Sequence, residues 1–178
     1  MKALVVADAH IFKLSDGSYW CKSVYSYDFW KRYLDIFEEI RVVARIKKID
    51  VLDGKFCRSD GPNVEMYGIP FYQGPKQLLQ KYISIQKVLK HAFEGCDCVV
   101  FRMPCQTAEM TIRYMPKNMP YIGEVVYCPM DDLKNGKISL VRIFDYIASF
   151  RLKKFCLKAN GVSYVTENAI QKYYPSYA

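Results

Sequence analysis

Short apolar runs alternate along this chain with longer stretches whose apolar residues recur at three- and four-residue spacing. Residues 3–7 (Ala, Leu, Val, Val, Ala) make the first run. It is apolar on both faces, as a parallel strand covered by helices on both sides would be. Asp8, Ala9 and His10 follow at its C-terminal end, then a loop containing Asp16, Gly17, Tyr19 and Trp20. Residues 25–39 predict an amphipathic helix. Phe29, Tyr33 and Phe37 fall at i, i+4 and i+8, with Trp30 and Leu34 beside them and charges opposite; this spacing assigns the aromatics to the core. Residues 41–45 predict a second strand, residues 51–57 a small hairpin turning at Asp53-Gly54, and residues 63–69 a third strand. Pro75 opens a helix in which Leu78, Tyr82, Ile85, Leu89 and Ala92 keep helical spacing as far as Phe93, with Gly95 as the stop. Strands at 97–101, 120–126 and 162–166 alternate with helices at 107–115, 139–160 and 167–174. In the helix at 139–160, Leu140, Phe144, Ile147, Leu152 and Phe155 form one stripe, and Gly161 caps it.

Strands alternating with helices imply βαβ units and a parallel sheet with right-handed crossovers. The expected fold is α/β: a single Rossmann-like, doubly wound domain over residues 1–178. Its mainly parallel six-stranded sheet has order 3-2-1-4-5-6, in a three-layer α/β/α arrangement. Ligands of such sheets sit beyond the C-terminal strand ends. That rule selects Asp8, His10, Asp16, Gly17, Tyr19, Arg102, Glu124 and Tyr127 as candidate substrate contacts. Gly17 lets backbone approach a ligand, and Tyr19 offers a ring face and a hydroxyl. Arg102 either holds an anionic group or makes a structural ion pair. Glu124 is either a contact or a solvated strand residue, and the loop around Asp16 either a ligand contact or a solvated connection.

The 178 residues carry a net charge of +8, which favours anionic partners. The cations are spread out and form no dense basic run, so nucleic acid is not the expected partner. The seven cysteines are an odd number and several lie in apolar segments, as expected of free thiols in a reducing compartment. Cys96 and Cys98 make one close pair, too few ligands for zinc. His91 shares the polar side of its helix with Lys87 and Ser84 and reads as a surface residue. No apolar run is long enough to span a membrane, and the N-terminal run, broken by Asp8, reads as a strand rather than a signal peptide. Dinucleotide, P-loop, nucleophile-elbow and zinc-protease motifs are missing. His10 and His91 are the only histidines, and no cysteine carries a local signature of a nucleophile. No catalytic residue is assigned.

The stretch from Gly161 through Ser163, Thr166 and Tyr173-Tyr174-Pro175 resembles the last strand and helix of the N-terminal domain of GT-B glycosyltransferases. The resemblance is to the retaining type that includes bacterial polysaccharide-synthesis enzymes. The front end agrees, from Leu4 to His10, then Tyr19-Trp20, the aromatic helix and Val42 to Arg45, as does Pro120 through Pro129. Two positions depart from the family. Arg102-Met103-Pro104 stands where many members have His-x-Pro, and Tyr127-Cys128-Pro129 where similar proteins have Gly-Asp-Pro. The role of the histidine is therefore not carried over.

The resemblance implies an acceptor-binding domain of an enzyme that moves a sugar from a nucleotide-sugar donor to a saccharide or lipid-linked acceptor. No cofactor is implied beyond the donor substrate. The donor-side domain would be absent from these residues or a separate polypeptide, the chain alone would be inactive, and the expected location is the cytoplasm. A subsidiary expectation is peripheral contact with anionic membrane at its inner face, because Arg142, Arg151, Lys153, Lys154 and Lys158 stand against the single acid Asp145 in one helix. An ordinary solvated helix face is the alternative. Two other readings remain: a non-catalytic Rossmann-like module binding a ligand or protein, and, from charge alone, nucleic-acid binding.

Overall fold

The β-branched and apolar runs become strands, and the 3.6-period stretches become the helices that cover them. The computed structural model describes residues 1–129 and 140–177. In chain order the elements are β1 (Lys2–Lys13), β2 (Tyr19–Cys21), α1 (Tyr27–Leu34), β3 (Glu39–Lys48), β4 (Cys57–Arg58) and β5 (Val64–Pro70). They are followed by α2 (Gly74–Leu89), β6 (Cys98–Met103), α3 (Gln106–Thr111) with a 3-10 turn at Ile112–Tyr114, β7 (Tyr121–Val125), α4 (Leu140–Lys158) and β8 (Gly161–Tyr164).

The fold is mixed α/β around one eight-stranded sheet. Parallel pairings run β5 to β3, β3 to β1, β1 to β6, β6 to β7 and β7 to β8. Two short antiparallel strands, β2 on β1 and β4 on β2, bring the count from the expected six to eight and make the sheet mixed.

Alternation along β1 splits the core in two. Leu4 and Val6 join Val43, Val99, Phe101, Ile85, Leu89, Leu152 and Phe155 on the face covered by α2, α3 and α4. Ala3, Val5 and Ala7 join Ile40, Val42, Trp30, Tyr33 and Phe37 on the face covered by α1. Trp30 is fully buried, and its indole N–H donates to Ser59 Oγ at 3.1 Å. That contact satisfies the one polar group such a ring brings into a core.

Several local expectations are corrected. β1 continues past Ala7 to Lys13, because its far half finds new partners in β2 and β3. α1 is shorter than residues 25–39, and Asp35 forms its C-cap. Asp53-Gly54 turns the chain, with Gly54 at φ +91°, but residues 51–52 pair with no strand; Cys57–Arg58 pairs with β2 instead. Residues 167–174 form turns rather than a helix. Gly161 starts β8 rather than capping α4. In α4, Leu152 and Phe155 are buried as the stripe predicts, but Ile147 is exposed and Ser149 and Cys156 take inner positions. Ser139 and the side chains of Leu140, Phe144, Arg142 and Asp145 lie outside the described residues.

Candidate functional site

The site begins with an irregularity in β1. Val6 pairs with Val43 and His10 with Arg45, so four steps along β1 match two along β3. Bulges re-aim side chains and interrupt pairing, and here Asp8 stands at the middle of the interruption, exposed, between buried Ala7 and Ala9. On its other flank β1 pairs with β6 over residues 3–6 and with β2 over residues 11–13. Residues 7–10 lie between these two pairings, where β1 and β6 part.

A cavity of about 420 Å³ opens there, lined by Asp8, His10, Phe12, Lys22, Ser23, Tyr25 and Arg45. Arg45 is its anchor. Only 7% exposed, it donates from Nη2 to Asp8 Oδ1 at 2.5 Å and from Nη1 to the Tyr72 carbonyl at 3.0 Å, and its guanidinium lies 4.5 Å from the Tyr72 ring centroid. Charge-assisted bonds of this kind hold a carboxylate in a fixed orientation. The Asp8 side chain remains 44% exposed and can accept further hydrogen bonds.

Burial pushes the His10 pKa below its ordinary value, and the Arg45 charge acts the same way, opposed by Asp8. Its ring meets Phe71 edge to face at 5.3 Å, Phe71 meets Phe12 at 6.2 Å, and Phe12 meets Phe56 edge to face at 5.4 Å. The cavity therefore combines a carboxylate, a guanidinium, an amine and hydroxyls with an aromatic wall. Saccharides use both: hydroxyls for hydrogen bonds and C–H faces for rings.

A second cluster lies at the ends of β6 and β7. Glu124 accepts from Arg102 Nη1 at 2.6 Å, from Arg32 Nη2 at 2.7 Å and from the Tyr33 hydroxyl at 2.8 Å. Both guanidinium groups lie against the Phe29 ring, at 4.3 Å for Arg32 and 4.9 Å for Arg102. Burial and the neighbouring Glu124 charge push the Tyr33 phenol up to about 12, so it stays a hydrogen-bond donor. Beside this cluster is a smaller cavity of about 210 Å³, reaching Ser163 and Tyr164 at the end of β8.

The structure thus brings Asp8 and His10 into one cavity, and pairs Arg102 with Glu124 in a second cluster that meets the cavity at Tyr25, whose ring packs on Phe29 at 5.3 Å. Asp16, Gly17 and Tyr19 sit elsewhere. Asp16 Oδ1 accepts from the Ser18 amide at 2.8 Å and Gly17, at φ +88°, makes the turn of the β1–β2 hairpin. Tyr19 packs at the edge of the α1-side core with Lys13 over its ring. Tyr127 follows β7 and is 44% exposed. Sequence reasoning missed Arg45, Tyr25, Lys22, Ser23 and Phe12. Arg45 alone carried a signal: it is a charge closing an apolar strand at its C-terminal end.

Cys105 caps the N-terminus of α3, accepting from the Ala108 amide at 3.3 Å. Burial pushes its thiol up to about 12, so it does not supply a thiolate near neutral pH. All seven cysteines are free. Among the described residues no group of three His, Cys, Asp or Glu side chains could hold a metal ion, and no helix is long and apolar enough to cross a membrane. His91 is exposed and pairs with Glu94 at 2.6 Å.

No protein-family model matches the chain. It is similar to Protein CapJ of Staphylococcus aureus, with 28% identity over 177 residues, covering 98% of this chain and 44% of CapJ. The chain therefore spans less than half the length of this relative. No solved structure matches.

Proposed function

We propose that this chain is the acceptor-binding half of a GT-B glycosyltransferase in bacterial polysaccharide synthesis, of the capsule-building kind. The observation that carries the reading is the cavity where β1 parts from β6, at the C-terminal side of the parallel strands, walled by aromatic rings and floored by the Asp8–Arg45 pair. The CapJ likeness supports it. It runs along nearly the whole chain and leaves more than half of CapJ outside the match, as a two-lobed enzyme requires.

In this reading the acceptor sugar lies against Phe12 and Tyr25. Asp8 and Ser23 orient its hydroxyls, and Lys22 and Arg45 set the local potential. A nucleotide-sugar donor is held by a second, Rossmann-like lobe. Transfer breaks the bond from the anomeric carbon to the diphosphate, forms one to the acceptor oxygen, and passes the acceptor proton to the leaving phosphate. The acceptor lobe contributes positioning and exclusion of water. It acts on the cytoplasmic side, where nucleotide sugars are made.

Saturation-transfer NMR with a panel of neutral and acidic oligosaccharides tests this. Signal from at least one saccharide, abolished by Tyr25→Ala and by Asp8→Ala, is the expected result. A folded chain that receives no saccharide signal, or one whose saccharide binding ignores both substitutions, would sink it. In the same preparation, sugar-nucleotide turnover by these 178 residues alone would contradict the two-lobe requirement.

One observation favours a second reading, ligand binding without transfer. Arg102, which stands at the His-x-Pro position of the resembling family, is locked to Glu124. Full activity of the longer protein with an Arg102→Lys substitution, and none with Asp8→Ala, would support transfer over simple binding.

A further inference from the structure

Two cysteines far apart in sequence meet across the β2–β4 pairing, where Cys21 and Cys57 are direct register partners. Direct partners in an antiparallel ladder put their side chains on the same side, with Cβ atoms about 4.5–5.5 Å apart. A disulfide spans about 3.5–4.5 Å between Cβ atoms, so closure needs a shift of about 1 Å. β4 has the freedom for it, being two residues long and lying at the end of the sheet, beyond β2. Its Ser59 side is anchored: the Ser59 amide donates to the Tyr19 carbonyl at 2.8 Å and the Ser59 hydroxyl to the Tyr25 carbonyl at 2.6 Å. Cys57 stands at the opposite end, toward the turn at Gly54.

The two thiols differ as an attacking and a resolving thiol do. Cys57 is exposed, alone among the seven cysteines. Cys21 is fully buried, its S–H donates to the Ser23 carbonyl at 3.3 Å, and burial pushes its thiol up. An oxidant therefore meets Cys57 first. We propose that Cys21 and Cys57 form a redox modification site, which closes a reversible disulfide on meeting a small-molecule disulfide. The Cys57 sulfur attacks one sulfur of that disulfide and releases its other half. Cys21 then attacks the Cys57 sulfur and releases the second half. Each protein thiol hands its proton to the small thiol it releases, so two protein thiols are oxidised and one small disulfide is reduced.

The bridge fixes one wall of the β1 cavity. Phe56, next to Cys57, meets Phe12 edge to face at 5.4 Å, and Lys22, next to Cys21, lies 4.6 Å from the Phe56 ring centroid. Phe12 and Lys22 both line the cavity. Oxidation turns a two-residue ladder into a covalent clamp on this wall. The pairing of the cysteines is independent of what the cavity binds, so the inference stands whether or not the ligand is a saccharide.

Incubation of the folded chain with excess oxidised glutathione is the test. The expected product has lost the mass of two hydrogens, joins Cys21 to Cys57 in non-reducing peptide maps, and returns to free thiols in dithiothreitol. Cys21→Ala should stop at one glutathione adduct on Cys57, and Cys57→Ser should react at neither position. Amide exchange across residues 19–23 and 56–58 should slow by at least about tenfold in the oxidised wild type and not in Cys57→Ser. A glutathione adduct that persists on Cys57 of the wild type, a bridge joining any other pair, or an unmodified Cys57 would overturn the site. Exchange rates that ignore the bridge would overturn the clamp.

Discussion

Arg102 and Glu124 are direct register partners across β6 and β7, and Arg102 Nη1 donates to Glu124 Oε2 at 2.6 Å. Both side chains are mostly buried, 13% and 18% exposed. Removing the carboxylate leaves a guanidinium with few alternatives. Glu124→Ala should therefore cost about 2–4 kcal/mol in urea unfolding. A paired Arg102→Leu/Glu124→Leu variant should recover part of the loss, since it removes the buried guanidinium and leaves only the half-exposed Arg32 and the Tyr33 hydroxyl without Glu124. Equal destabilisation in both would show that the pair is not the cause.

The Asp8–Arg45 pair is asymmetric, with a buried cation and a half-exposed anion. Asp8→Ala should destabilise by about 1–3 kcal/mol, because it leaves the buried Arg45 guanidinium with only the Tyr72 carbonyl and ring as partners. Asp8→Asn should cost less than Asp8→Ala. Urea midpoints at neutral pH check the order.

His10 titrates with its pKa below the usual 6.5 because it is partly buried and faces Arg45. The unfolded chain then binds the proton first as pH falls. His10 contributes its full stability above about pH 6.5, and that contribution is lost as pH drops through its folded-state pKa. Wild type should weaken across that window, while His10→Phe should show a flatter profile. Parallel profiles would remove His10 from the pH dependence.

Gly123 lies in β7 directly beneath Phe155 of α4, and a Cβ built there would sit 2.6 Å from the ring. Phe155 is buried against Phe101 and Tyr121 and has little room to retreat. Gly123→Ala should cost about 1–3 kcal/mol by overpacking. Gly123→Ala/Phe155→Leu should regain part of it, as a thermal melt of both variants would reveal.

Much of the layered core was legible in the chain. The runs at Leu4–Val6, Val42–Val43 and Val99–Phe101 are apolar on both faces, and the spacing of Trp30 and Tyr33 fixes which side of α1 is buried. The bulge in β1 was not legible. Asp8 breaks the apolar run, and nothing local distinguishes a strand that ends from one that detours and resumes. The hairpin β1–β2 and its pairing with β4 depend on contacts between distant segments, Trp20 with Arg58 among them. The cavity inherits that difficulty. Asp8 and His10 were reachable from the strand-end rule, whereas Lys22, Ser23 and Tyr25 belong to a segment that only tertiary pairing brings alongside.

The handover of β1 from β6 to β2 divides labour within one strand. Residues 3–6 are clamped on both flanks by parallel neighbours, while residues 11–13 are held on one flank by a hairpin that takes no part in the β6–β7–β8 pairings. Changes of length or sequence around Asp16 and Lys22 can remodel one wall of the cavity without shifting that register. The hairpin is in effect an exchangeable cassette, through which related chains could diverge in what they grip while keeping the same chassis.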